Sequence, residues 1–130
     1  MTIDHLAIWV DDLEKMKNFY IDYFNFSSSE LYHNSNRGFS SYFLSFKEEA
    51  TRIELMHLAN IAEPVQKRGF SKGLAHLAIT IGTKTQVNQL TERLRNDGYT
   101  IESETRTTGD GYYESAIADP EGNYVELLAE

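Results

Sequence analysis

The sequence His5-Leu6-Ala7-Ile8 recurs as His76-Leu77-Ala78-Ile79, 71 positions later. A second match, Ile53-Glu54-Leu55 with Val125-Glu126-Leu127, has an offset of 72 positions. Two short matches at nearly the same offset indicate that one unit has been duplicated within the chain. The fold prediction therefore starts from two copies of a single motif.

The first copy has the pattern of a strand, a helix and three further strands. Asp11 and Asp12 are candidate N-caps for the helix, with Glu14 in capping-box spacing from Asp11. Apolar residues then recur at helical intervals as far as Asn25, the candidate helix end. The strands are predicted at 3–10, 26–33, 39–46 and 51–57, with a polar turn at 47–50.

The second copy repeats this pattern and completes the predicted fold. Thr83 and Gln86 have capping-box spacing at the start of its helix, and Gly98 ends that helix. Its strands are predicted at 74–81, 100–106, 113–118 and 123–129. The sequence therefore predicts an α+β fold made of two tandem βαβββ modules. The two modules and the linker between them are predicted at about 1–57, 74–130 and 58–73.

The composition excludes several classes of partner. A formal net charge of −8, from 20 acidic and 12 basic residues, repels nucleic acids and acidic lipid surfaces. The absence of cysteine excludes disulfides and thiolate chemistry, and with no recognisable signal peptide it favours the cytoplasm. The apolar stretch 74–81 is far too short to span a membrane. Nucleic acid and membranes are therefore not expected as partners.

In each copy, a histidine lies in the first predicted strand and a glutamate in the last. Strand side chains alternate between faces, so each of these residues points away from the leucine that follows it. The four dipeptides are His5-Leu6, Glu54-Leu55, His76-Leu77 and Glu126-Leu127. The leucine face is expected to pack on the helix, which leaves the polar residues on the other, concave face.

The matched polar residues predict a metal site. A single strand histidine is more often structural, and Glu54 alone has Arg52 as a possible ion-pair partner. Two histidines and two glutamates at equivalent places favour one divalent cation, because a carboxylate on a buried face needs a counter-charge. Imidazole and carboxylate together suit zinc, nickel, cobalt, manganese or iron(II).

Three further residues are candidates for substrate binding, each with a structural alternative. Arg52 shares strand parity with Glu54, so it is placed to meet a substrate carboxylate, or else it forms a surface ion pair. Trp9 shares parity with His5 and is either a cavity wall or a core residue. Tyr113 follows a glycine-rich loop and is either a substrate contact or an ordinary strand aromatic.

These motifs resemble the vicinal oxygen chelate superfamily, also called the glyoxalase/bleomycin resistance/dioxygenase family. The resemblance covers essentially the whole chain. It rests on residues 4–8 with Val10, Asp12-Leu13, Phe19-Tyr20, residues 53–55, residues 73–78, and Asp119-Pro120-Glu121-Gly122-Asn123 with residues 125–127. It implies paired βαβββ modules whose sheets form a curled mixed sheet around a central metal, and it implies a homodimer.

The resemblance also implies a chemistry. The ligand set His5, Glu54, His76 and Glu126 is similar to that of bacterial glyoxalase I, and a histidine in first position resembles the nickel- or cobalt-activated class. It implies a lyase or isomerase that transfers a proton through a metal-bound enediolate. In that chemistry Glu126 is the base and Glu54 its symmetric counterpart.

Two other members of the family are alternatives. Metal-dependent dioxygenases usually lack a ligand at the position of Glu54, and antibiotic-binding resistance proteins generally lack the metal ligands altogether. Typical glyoxalase I has an arginine that contacts glutathione where this chain has Trp9, and a lysine in the loop that here spans 107–111. The resemblance therefore leaves the thiol, and with it the substrate, open.

Overall fold

Two βα-containing units follow each other along the chain, as the internal repeat predicts. The structure, a computed structural model, describes residues 1–46 and 50–130, so residues 47–49 of the predicted polar turn lie outside the described residues. The units are Met1–Glu63 and Pro64–Glu130, and the division falls within the segment predicted to be a linker. Each unit has one helix and one mixed sheet, which confirms the predicted α+β class.

The helix of the first unit, α1, spans Leu13–Phe24. Asp12 is its N-cap, because the Asp12 side chain accepts a hydrogen bond of 2.9 Å from the backbone N–H of Lys15. The alternative capping box between Asp11 and Glu14 is therefore wrong. Asn25 ends the helix in the left-handed conformation at φ 57°, which asparagine tolerates better than most residues.

The sheet of the first unit has first and last strands that pair in parallel. Its strands are β1 (His5–Trp9), β2 (Ser27–Ser28), β3 (Tyr32–Asn34), β4 (Phe39–Ser45) and β5 (Arg52–His57). The strand order is β1-β5-β4-β2, and β3 also pairs with β4. Only the β1–β5 pairing is parallel among these described strands.

The predicted strand 26–33 is interrupted, so it forms the two short strands β2 and β3. The Ser28 hydroxyl donates to the Ser29 carbonyl at 2.9 Å, and the Ser29 hydroxyl donates to the Glu30 carbonyl at 2.9 Å. Serine side chains that bond to nearby backbone compete in this way with the sheet ladder. The break thus begins within the run of three serines at 27–29.

The second unit repeats the plan with different boundaries. Its elements are β6 (Leu77–Gly82), α2 (Lys84–Asn96), β7 (Ile101–Thr107), β8 (Tyr113–Ala118) and β9 (Tyr124–Ala129). The strand order is β6-β9-β8-β7, and β6 is parallel to β9. The predicted capping box is confirmed, since Thr83 and Gln86 each bond the other's backbone N–H.

Strand β6 begins three residues later than predicted, at Leu77 rather than at Leu74. Its parallel partner β9 begins only at Tyr124, after a turn in which the Asp119 carboxylate accepts from the backbone N–H of Asn123 at 2.9 Å. Residues before Leu77 therefore have little strand to pair with. As a consequence, His76 lies just before the strand rather than within it.

The core of each unit lies between the helix and one face of its sheet. In the first unit, α1 packs on β4 and β5, and in the second, α2 packs on all four strands. Leu55 and Leu127 are fully buried on these helix-packed faces. Because side chains alternate along a strand, Glu54 and Glu126 point to the opposite face, as predicted. No helix in the described ranges is long and apolar enough to cross a membrane.

Candidate metal and substrate site

In the first unit, the parallel pairing of β1 with β5 brings His5 and Glu54 together. The register places Glu54 opposite Ala7, so His5 lies two residues away on the same sheet face. The His5 Nε2 atom is 3.6 Å from Glu54 Oε2. The Glu54 side chain is only 14 % exposed, so its carboxylate faces a partly desolvated surface.

The second unit reproduces this geometry with His76 and Glu126. Glu126 lies opposite Ala78, and His76 again precedes that alanine by two residues. The His76 Nε2 atom is 3.2 Å from Glu126 Oε2, and the Glu126 side chain is 21 % exposed. The duplication in the amino-acid sequence is therefore also a duplication of a histidine–glutamate pair in the structure.

The spacing within each pair fits two ligands of one metal ion. Nitrogen and oxygen donors at bond lengths of about 2.1 Å, with bond angles between right-angled and tetrahedral, lie roughly 3.0 to 3.4 Å apart. The distances of 3.2 and 3.6 Å are close to that range. No group of three or more His, Cys, Asp or Glu side chains in residues 1–46 and 50–130 is arranged to hold a metal. The structure thus brings the four predicted ligands together as two pairs, one in each unit.

Asp4 orients His5, a role that the sequence analysis did not assign. The Asp4 Oδ2 atom lies 2.7 Å from His5 Nδ1 and accepts a hydrogen bond of 2.5 Å from the Arg52 guanidinium. The hydrogen bonds with His5 and then Arg52 lower the pKa of the Asp4 carboxyl below its ordinary value. An ionised carboxylate only accepts, so Asp4 pairs with an N–H at His5 Nδ1, and the other ring nitrogen, Nε2, faces Glu54 as the candidate metal ligand.

The two units differ at this supporting position. The residue before His76 is Ala75, which has no side-chain acceptor for the imidazole. The position of Asp4 immediately before a predicted ligand was the signal that would have pointed to it. The residue before the first histidine therefore supplies a carboxylate to its Nδ1 atom, and the residue before the second does not.

Phe43 also supports the first pair. It lies opposite Glu54 in the β4–β5 register. Its ring meets the His5 ring edge-on at 5.3 Å between centroids, and the Arg52 guanidinium lies 4.3 Å above it. Phe43 thus fixes one imidazole and one guanidinium by contact with the same ring. Only the register of β4, which the sequence did not reveal, identifies this residue.

The three predicted substrate residues have different surroundings. Arg52 is already paired with Asp4 and stacked on Phe43, so its charge is balanced within the unit. Trp9 is 38 % exposed and, by strand parity, lies on the same face as His5. Tyr113 lies on the opposite face from Glu126, where its hydroxyl donates to Asn88 of α2 at 2.7 Å. The structure therefore separates Tyr113 from the sheet face that carries the second pair.

The Glu126 carboxyl lies in a partly buried environment that contains other charged groups. Burial raises the pKa of the Glu126 carboxyl, His76 opposes this, and the Glu114 carboxylate adds to the rise. Glu114 shares the sheet face with Glu126 and is 3.2 Å from the Arg106 guanidinium. The second unit therefore has a carboxyl that is partly shielded from water and close to another negative charge.

Comparison with known proteins places the chain in a family. A family model described as the Glyoxalase/Bleomycin resistance protein/Dioxygenase superfamily matches residues 2–127. The uncharacterized protein YqjT of Bacillus subtilis (strain 168) is 31 % identical over 131 residues, which covers 96 % of each chain.

Solved structures have the same fold. A glyoxalase family protein from Enterococcus faecalis superposes with a TM-score of 0.76 at 22 % identity, covering 98 % of this chain and 96 % of that one. Glyoxalase I from Zea mays superposes with a TM-score of 0.77 at 23 % identity, covering 97 % of this chain and 43 % of that one. At these identities the likeness concerns the fold.

Proposed function

Because the chain belongs to the glyoxalase/bleomycin resistance protein/dioxygenase superfamily, we propose that it is a metal-dependent lyase or isomerase of the glyoxalase I kind. Its substrate is a small molecule derived from a 2-oxoaldehyde or a related compound. The observation that carries the proposal is the repeated histidine–glutamate pair, with the same strand register and nearly the same donor spacing in both units.

His5, Glu54, His76 and Glu126 are the proposed ligands of one divalent ion. Nickel or cobalt is favoured, while zinc, manganese and iron(II) also suit two imidazoles and two carboxylates. Such an ion supplies Lewis acidity to neighbouring substrate oxygens. We propose a homodimer, as in the family, and both sharing of the ligands between subunits and a site within one chain are compatible with the proposal.

The proposed base is the Glu126 carboxylate, with Glu54 as its counterpart. Glu126 takes the proton from the carbon next to the substrate carbonyl and returns it to the neighbouring carbon. Its partial burial keeps bulk water from competing for that proton. His76, 3.2 Å from Glu126, restricts the rotamer of the carboxylate and so holds the basic oxygen in place.

The second candidate function is that of a small-molecule binding protein without a catalytic metal. The observation in its favour is that the described residues present their metal-binding side chains as pairs and not as a larger group. A metal-dependent dioxygenase is disfavoured, because the first pair includes Glu54 as a ligand candidate.

Elemental analysis of the purified protein tests the proposal. The wild type is expected to hold one transition-metal ion per site, and the Glu54→Ala, Glu126→Ala double variant is expected to hold none. A Glu92→Ala, Glu104→Ala variant is the control, because those carboxylates pair with Arg95 on the surface. Equal metal content in the two double variants would contradict the ligand assignment.

Activity separates the two candidates. The wild type, reconstituted with nickel, cobalt or zinc in turn, is assayed with hemithioacetals of several thiols. Metal-dependent turnover supports the lyase or isomerase. Tight metal binding without turnover of any 2-oxoaldehyde adduct would reject that reaction, and failure to bind metal at all would favour the binding protein.

A further inference from the structure

The sheet face that carries His5 and Glu54 continues into a set of aromatic side chains. In the strand register, Trp9 lies opposite Met56, Met56 opposite Ser41, and Ser41 opposite Tyr32. Phe39 lies two residues from Ser41 along β4 and therefore shares its face. These five residues, Trp9, Tyr32, Phe39, Ser41 and Met56, are called the aromatic surface.

Three rings of the aromatic surface are in contact and open to solvent. The Trp9 and Phe39 rings meet edge-to-face, with centroids 6.3 Å apart at an interplanar angle of 89°. The Tyr32 and Phe39 centroids are 6.1 Å apart. Trp9 is 38 % exposed and Tyr32 is 55 % exposed. Large aromatic side chains held in contact with one another and exposed together are typical of a binding surface.

Ser41 is a buried polar group in the middle of this surface. It is 1 % exposed, and its Oγ atom has no hydrogen-bond partner among the described residues. Buried hydroxyl groups almost always have a partner, because leaving one without costs folding free energy. A partnerless hydroxyl between Met56 and Tyr32 is therefore a position where a polar atom of a ligand gains a full hydrogen bond.

The aromatic surface is within reach of a molecule that also occupies the first ligand pair. Trp9 follows His5 by four residues of strand, which is about 13 Å at the usual strand rise. Ala7, the residue between them on this face, is small and leaves room above the sheet. A substrate with one ring and a short chain spans that distance.

The second unit differs from the first at the place of Ser41. In the first unit, Ser41 lies two residues before Phe43, which pairs with Glu54. In the second unit, Glu114 lies two residues before Ala116, which pairs with Glu126. Glu114 therefore occupies the place of Ser41. Glu114 is paired with Arg106, so that part of the second sheet is charged. The uncharged hydroxyl at this place, with Trp9, Tyr32 and Phe39 around it, is thus particular to the first unit.

We propose that the aromatic surface binds an uncharged aromatic ring of the substrate, and that the Ser41 hydroxyl bonds to a polar atom beside that ring. The surface has no charged side chain, which favours a neutral aryl group over an anionic peptide. The reacting oxygens of the same molecule lie at the His5–Glu54 pair. That last placement rests on the proposed function, whereas binding of the ring does not.

Trp9 is the only tryptophan in the sequence, so its fluorescence reports on this surface directly. The probe is 3-phenylpropanamide, which is neutral, has no chelating group and does not absorb where tryptophan is excited. We expect a saturable change in Trp9 emission, and binding roughly tenfold weaker for the matched 3-cyclohexylpropanamide, which has no π-system to stack.

Variants distinguish the surface from adventitious binding. Tyr32→Ala is expected to weaken the phenyl probe about five- to tenfold, while Tyr112→Ala, a tyrosine with the same 55 % exposure in the other unit, leaves it unchanged. Ser41→Ala is expected to weaken the amide about three- to tenfold and to leave propylbenzene, which lacks the amide, unaffected.

Three outcomes would overturn the proposal. They are a Trp9 emission that does not saturate with the phenyl probe, equal effects of the two tyrosine variants, and a Tyr32→Ala variant that changes the oligomeric state instead of probe affinity. The last result would assign the surface to a second copy of this chain. Because the amide does not need metal, its binding stands even if the metal analysis fails. A second probe, 3-phenylpropanohydroxamate, carries a metal-chelating group. Its binding, compared with and without nickel, depends on both the aromatic surface and the proposed metal site.

Discussion

Replacing Ser41 with alanine should stabilise the protein, because its hydroxyl is an exception to the rule that buried polar groups are hydrogen-bonded. Ser41 is 1 % exposed and its hydroxyl has no partner among the described residues. The second unit contains another buried serine, which serves as the comparison because its hydroxyl is hydrogen-bonded. Ser115 is 0 % exposed, and its hydroxyl lies 2.7 Å from the Thr91 hydroxyl, which donates to the Val87 carbonyl.

The two substitutions remove the same atom from opposite environments. A buried hydroxyl without a partner costs about 1 to 3 kcal/mol, so Ser41→Ala should raise the free energy of unfolding by about 1 kcal/mol after the small cavity is allowed for. Ser115→Ala removes one satisfied hydrogen bond and should lower that free energy by about 1 kcal/mol. The expected difference between the variants is therefore about 2 kcal/mol.

Urea unfolding, followed by circular dichroism and by Trp9 fluorescence, measures both free energies. Trp9 lies in the same unit as Ser41, so its emission reports on the relevant unfolding event. If Ser41→Ala lowers the free energy of unfolding as much as Ser115→Ala does, the Ser41 hydroxyl is hydrogen-bonded in the folded protein. That result would also remove the main support for a polar contact to the ligand ring.

Three further predictions concern ionisable groups. Asp4→Asn should weaken metal binding about tenfold, because a supporting carboxylate no longer orients His5; competition with a chelator measures this. Glu126→Gln should abolish turnover while the circular dichroism spectrum stays unchanged, as expected for a base. Glu14→Gln should lower the melting temperature at neutral pH but not in acid. Hydrogen bonds from the Lys17 ammonium and then the Tyr42 hydroxyl lower the pKa of the Glu14 carboxyl in the folded protein. The ionised Glu14 therefore stabilises the fold above the pKa that it has in the unfolded chain. This stabilisation is lost as the pH falls through the lower pKa of the folded state.

Each of these has a contrary result. Metal affinity unchanged in Asp4→Asn would mean that His5 is held by packing against Phe43 alone. Full activity of Glu126→Gln would transfer the role of base to another residue. A melting-temperature difference for Glu14→Gln that is the same at every pH would show that lost packing, and not the carboxylate charge, is responsible.

Local signals in the sequence were sufficient for most of the fold. The capping pair Thr83 and Gln86 and the alternation that buries Leu55 and Leu127 depend on neighbours in sequence, and the structure confirms them. The start of β6 depends instead on its partner strand, because its first residue, Leu77, pairs with Val125, 48 residues later. Pairing of distant segments is what local patterns specify least.

The candidate site shows the same division. Both histidine–glutamate pairs follow from the repeat and from strand parity, and each is close in space. Phe43 and Ser41 belong to the first face only because of the register of β4 against β5, which no spacing in the sequence reveals. The position of Tyr113 after a loop predicts a substrate contact. Its strand parity relative to Glu126 places its side chain on the helix side of the sheet instead.

The parallel pairing of the first strand with the last also determines when the His5–Glu54 pair forms during synthesis. His5 leaves the ribosome early, but its partner Glu54 arrives only after the helix and the middle strands of the unit. An antiparallel hairpin would have joined two ligands within a few residues, whereas this arrangement requires the whole unit to close first. A nascent or nicked chain that lacks β5 leaves β1 without its ladder partner and His5 without its carboxylate. The proposed metal site has ligands in both units, so metal affinity is expected only in chains in which each unit is complete.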